Sequence, residues 1–146
     1  MTHPQTLAEE LSRELEDKKL LSVAKWGCCA FVLLWCLGIE PEDDMKAILT
    51  VINMIKKGVI DEECTVDWFK SVKYLTGRPL KKVDFIQTKI IKNIKKRTPV
   101  RYDYNGVSHW VGVENGEIAF NPLKESVCVN MGRPATRREL YIDGVN

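Results

Sequence analysis

Leu7, Leu11 and Leu15 recur every four residues through a charged segment with no glycine or proline, and Leu20 and Leu21 follow close behind. The spacing predicts an amphipathic helix over about 6–19. After a break at WGCC, residues 28–37 are continuously apolar and stop at Gly38, which suits a buried helix closed by a glycine cap. Pro41 opens the next helix. There Met45, Ile48, Leu49, Ile52 and Ile55 keep intervals of three and four, between Glu42, Asp43 and Asp44 at the start and Lys56, Lys57 and Gly58 at the end. The run 67–75 (DWFKSVKYL) predicts a fourth helix, ended by Gly77 and the Arg78-Pro79 pair, and 84–97 a fifth.

Beyond Pro99 the period shortens. VRYDY, SHWVGVE, EIAF, SVCVN and ELYID are short β-rich runs, separated by Asn105-Gly106, Asn115-Gly116, Asn-Pro and Met-Gly-Arg-Pro. They predict an antiparallel sheet. A helical half followed by a sheet half is the α+β layout. We read 1–146 as one domain: an N-terminal helical extension (1–24), a helical half (25–98) and a β half (99–146).

Composition narrows the class. With 45% hydrophobic and 29% charged residues among 146, the chain reads as a globular protein whose core needs neither a metal nor a disulfide. The formal charge of +2 does not argue for nucleic acid. Residues 89–97 (KIIKNIKKR) concentrate five basic residues, but Ile90, Ile91 and Ile94 at helical spacing make this a solvated helix face with no interleaved aromatics, so no nucleic-acid partner is expected. The most apolar stretch, 26–39, has 14 residues and is too short to span a bilayer. Acidic residues precede it where a signal peptide would be basic, so no membrane is expected and the chain is placed in a reducing cytoplasm.

Five cysteines stand at 28, 29, 36, 64 and 128, with no C-x-x-C pair, so neither a zinc site nor a disulfide framework is expected. Cys28 follows a glycine at the predicted start of the buried helix, where unpaired amides and the helix dipole favour a thiolate. Of two histidines, His3 sits in a terminus expected to fray, which leaves His109 as the imidazole partner. His109, Val111 and Val113 share one strand face. Asn121 lies across the Asn115-Gly116 hairpin, where its carbonyl oxygen can accept the imidazole N–H and fix the tautomer. Taken singly, a buried cysteine is usually core, a strand histidine structural, and Asn-Pro a turn. Their order and setting together point to chemistry.

WGCCAFVLLWCLGI resembles the Tyr/Trp-Gly-Cys-Gly-Pro-x-Ser-x-x-Met-x-Leu…Gly segment of papain-like bacterial cysteine peptidases, notably the bacteriocin-leader-peptidase-like family. KNIKKRTPVRY followed by HWVGVENGEIAFNP is similar to that family's helix, Pro-Val strand, His-Trp-Val-Val-Val strand and closing Asp-Pro or Asn-Pro. The resemblance covers about 40 residues in two blocks. It implies a papain-like fold, with the nucleophile helix packed on a C-terminal antiparallel sheet. It also implies a cysteine hydrolase of peptide or isopeptide bonds, of bacterial or phage-related type, with a peptide or peptidoglycan-type substrate and no cofactor or metal. Cys28 falls on the nucleophile, His109 on the general base and Asn121 on the residue that orients it. The family places a glutamine about six residues before the nucleophile to bind the oxyanion with the cysteine N–H. Ser22 stands there in this chain, so Ser22 and the Cys28 backbone are the oxyanion candidates, with Lys25 as a further substitute.

Cys29 replaces the family's glycine. Neighbouring helix residues point about 100° apart, so one of Cys28 and Cys29 faces His109; the preceding glycine favours Cys28, and Cys29 and Cys36 then face inward. The absent glutamine and scarcity of long loops support another reading: a catalytically inactive papain-like domain acting as a binding or assembly module. The leading helix is expected to be a packing layer rather than a plug over the cleft.

Overall fold

Glu16 adopts a left-handed conformation (φ 49°) and the Asp17 carboxylate accepts the amides of Lys19 and Leu20, so the single helix that the leucine spacing suggests forms as two. In the computed structural model, which describes residues 1–144, these are α1 (Pro4–Leu15) and α2 (Lys18–Trp26). Gly27 alone separates α2 from α3 (Cys28–Cys36), and the two axes bend by 71°. α3 is apolar on every side and buried on every side, with Phe31, Val32, Leu33 and Leu34 fully enclosed. α4 (Asp44–Lys56) and α5 (Trp68–Thr76) begin at aspartates whose carboxylates accept the amides of Lys46 and Lys70.

The fold is α+β. β1 (Leu80–Gln87), β2 (Thr98–Tyr104), β3 (Val107–Glu114), β4 (Glu117–Phe120) and β5 (Arg133–Ile142) form one antiparallel sheet in the order β1-β5-β2-β3-β4, with α6 (Val127–Met131) between β4 and β5. Asn105-Gly106 and Asn115-Gly116 close the two hairpins with positive φ at both residues. One sheet face carries Trp110, Gly112 and Phe120 toward the helices. The other carries Val100, Tyr102, Val111 and Val113, packed under Ile94 and Cys128.

Close approach of α3 to the sheet depends on Gly112. A Cβ there would lie 2.4 Å from the Trp35 ring. Trp35 also stacks on Phe120 (6.0 Å) and lies under the Arg97 guanidinium (4.4 Å), so one side chain ties α3 to β3, β4 and the segment before β2.

Beyond the split of the first helix and the start of α4 at Asp44, capped by Asp43, rather than at Pro41, four more expectations are corrected. The helix expected over 84–97 is absent: β1 extends through Gln87 because β5 offers it a partner from Thr136 to Ile142, and 88–97 is irregular, its isoleucine spacing used to cover the sheet with Ile91 and Ile94. The β half therefore begins within the expected helical half. SVCVN forms α6 rather than a strand, since the Ser126 hydroxyl caps the Val129 amide and the turn buries Cys128. The N-terminus is held: the Thr2 amide and hydroxyl and the His3 amide donate to the Asp44 carboxylate. Residues 145–146 of the expected β half lie outside the described residues, among which no helix is long and apolar enough to cross a membrane.

Candidate active site

Cys28 is the first residue of α3, and its position follows from how that helix meets the sheet. β4 pairs with β3 only from Gly112 to Glu114, so β3 has no strand partner on that side from Val107 to Val111. The start of α3 fills the gap. The backbone of Trp110, Cys28 and Cys29 favours the Cys28 thiolate, but burial outweighs it and raises the thiol above its ordinary pKa.

His109 is 4% exposed and shares the cleft with Cys28. Its Nε2 lies 2.7 Å from Asn121 Oδ1, and the Leu123 amide donates to that same oxygen at 3.1 Å. The second bond fixes the Asn121 amide: the atom facing the imidazole is an acceptor, so His109 carries its proton on Nε2 and keeps the Nδ1 lone pair free. Burial lowers the His109 pKa, partly offset by the Asn121 bond, so the ring is neutral at pH 7. Among the described residues no hydrogen bond joins the Cys28 thiol to the ring.

The cleft has a volume of about 680 Å³. α1 supplies one wall through Gln5, Glu9, Ser12 and Arg13, which share a helix face; the end of α2 supplies Lys25 and Trp26; Val127 and Cys128 of α6 stand opposite. Exposed apolar side chains rim it, with Leu21, Trp26, Val107 and Val127 each 45–54% exposed. Cys128 Sγ donates to Val107 O at 3.4 Å, which makes it a second thiol of this cleft.

The constellation thus brings Cys28, His109 and Asn121 together. Ser22 lies on α2 away from the cleft lining, whereas Lys25 belongs to it. Cys29 points into a cluster with Leu33, Trp68, Val72 and Leu80, where burial raises its thiol strongly. Cys64 is buried between α4 and α5 with its pKa pushed up to about 12 by burial and Asp61.

Gln5 was not anticipated. It is 3% exposed, lines the cleft, and donates from Nε2 to Ala24 O at 2.9 Å, while its Oε1 has no partner among the described residues. The sequence carries a signal for it, an amide residue in the first turn after Pro4, on the polar face it shares with Glu9 and Ser12. The N-terminal segment also holds the far side of this cluster: the Gln5 and Thr6 amides donate to Pro122 O, and His3 Nδ1–H donates to Asn121 O at 3.0 Å. The leading helix is a packed wall of the cleft. Comparison with protein-family models, curated proteins and solved structures finds no match for this chain.

Proposed function

We propose that this chain is a papain-like thiol hydrolase that cleaves amide bonds of peptide or peptidoglycan-type substrates in a reducing, cytoplasmic setting. The observation that carries the reading is the 2.7 Å bond from His109 to an Asn121 oxygen whose orientation is fixed by Leu123, in the cleft that holds Cys28. The step starts from a neutral thiol and a neutral imidazole. Cys28 Sγ attacks the carbonyl carbon as its proton passes to His109 Nδ1, and the imidazolium is held by Asn121. The oxyanion is met by the Cys28 backbone N–H and, in place of Ser22, by the second N–H of the Gln5 amide. Collapse returns the proton to the leaving amine and leaves a thioester, which water hydrolyses with His109 again as base.

The raised Cys28 thiol and the missing thiol–imidazole hydrogen bond favour the other reading, an inactive domain used for binding or assembly. Iodoacetamide labelling across pH, located by mass spectrometry in the intact protein and in His109→Ala, separates them. A hydrolase labels at Cys28 before Cys29, Cys36 and Cys64, and loses that preference in the variant. Equal, His109-independent labelling of Cys28 supports the binding module.

A further inference from the structure

Residues 78–101 hold nine lysines and arginines against one acidic residue, Asp84, and the fold gathers most of them along one groove. Two cavities of about 580 and 490 Å³ share Lys96, Thr98 and Glu139 and so run on from one another, from the C-terminal end of α3 across β5 to the irregular 88–97 segment. The groove lies apart from the thiol cleft: it begins at Cys36 and Leu37, and the cleft at Cys28, a helix length of about 12 Å away.

Its charges divide into two kinds. Three of the arginines are paired with carboxylates, Arg97 to Glu40 and Glu114, Arg101 to Asp103 and Arg137 to Glu139, while Arg138, which also lines the groove, has none among the described residues and stacks on Phe85 and Trp110. Lys81 pairs with Asp143 and Lys82 with Asp84, but four lysines are unpaired. Lys89, Lys92, Lys95 and Lys96 are exposed and have no ion-pair partner among the described residues. The ammonium groups of Lys82 (4.5 Å) and Lys96 (5.4 Å) lie close to the Tyr141 ring, which is 37% exposed.

We infer that this groove binds single-stranded nucleic acid, the free lysines meeting successive phosphates and an unpaired base stacking on Tyr141. Ammonium point charges attract phosphates and carboxylates alike, and the exposed Tyr141 ring decides between a nucleotide chain and an acidic polypeptide. A π-face beside cations suits a nucleotide, and only an unpaired base can reach it. The expectation that 89–97 is a solvated helix face fails because no helix forms there. This inference stands whether or not the cleft is a hydrolase.

The test is fluorescence anisotropy of a labelled oligothymidylate titrated with the full chain over a range of salt. Binding is expected to weaken steeply with salt. Lys89→Gln/Lys95→Gln/Lys96→Gln should lower affinity at least about tenfold and flatten the slope of log K against log salt by about 2, at roughly 0.7 for each phosphate no longer neutralised. Lys18→Gln/Lys19→Gln/Lys70→Gln, which removes the same charge elsewhere, should leave affinity within about twofold of the parent. Absence of binding at low salt, equal losses in the two triple variants, equal affinity for the duplex, or binding of polyglutamate in preference to the oligonucleotide would each overturn the inference.

Discussion

Burial acts on both members of the cleft, raising the Cys28 thiol and lowering the His109 imidazole from their ordinary pKa values. The pH dependence follows from the signs. Because the His109 pKa is lowered, its base form persists below the ordinary imidazole value, and hydrolysis should fall only when pH drops through that depressed value. Asn121→Ala removes the bond that raises the His109 pKa, so the acid limb should move to still lower pH while the rate falls by roughly 10² or more. A pH profile of kcat/KM for both proteins checks this. Linkage gives His109 a matching effect on folding: its contribution is fully present above the unfolded imidazole pKa and is lost as pH falls through the folded value. Gln5→Ala should lower kcat by about 10²–10³ while leaving the labelling rate of Cys28 nearly unchanged, since it removes an oxyanion donor and not the base. The polar face of α1 marks Gln5 in the sequence, but its place beside Cys28 is not marked, because it lies 23 positions earlier and is brought near by the turn at Glu16–Asp17, which no spacing rule encodes.

At the scale of elements, α3 is a buried strut whose seating depends on Gly112. Gly112→Ala places a methyl group against the Trp35 ring and should cost about 1–3 kcal/mol, read as a lower midpoint in urea. α1 contributes Ala8, Leu7 and Leu11 to the core and holds Asn121 and Pro122 from outside. Deleting residues 1–15 should therefore abolish cooperative thermal unfolding, where removal of a plug would have spared it. Elements with a strong period or clear stops were legible: the apolar run of α3, the three-and-four spacing of α4 and the two Asn-Gly hairpins. The misses share a cause. In 84–97 and in SVCVN the local pattern permits either state, and the decision came from partners distant in sequence: β5 for β1, the sheet face for Ile91 and Ile94, and the cap and burial site for α6.

Over the whole molecule, charge is segregated more than the net value of +2 suggests: residues 1–77 hold thirteen acidic and nine basic side chains, and 78–146 hold seven acidic and thirteen basic. The small net charge hides this separation. On a sulfonate resin near the isoelectric point of about 8.2 the protein should still be retained, oriented by its lysine-rich side. The Lys89, Lys95 and Lys96 triple variant should elute at lower salt than the charge-matched control. The α+β layout was legible in the change of period at Pro99, but β1, an edge strand contributed from the expected helical half, was not. The five free cysteines, meanwhile, are spread over four compartments: the cleft (Cys28, Cys128), the α3–α5–β1 cluster (Cys29), the mouth of the groove (Cys36) and the α4–α5 connection (Cys64). Thiol exchange thus becomes a set of clocks native to the chain, each ticking at the rate its own compartment opens. The order in which they run under mild denaturant maps the hierarchy of local unfolding without a single introduced probe.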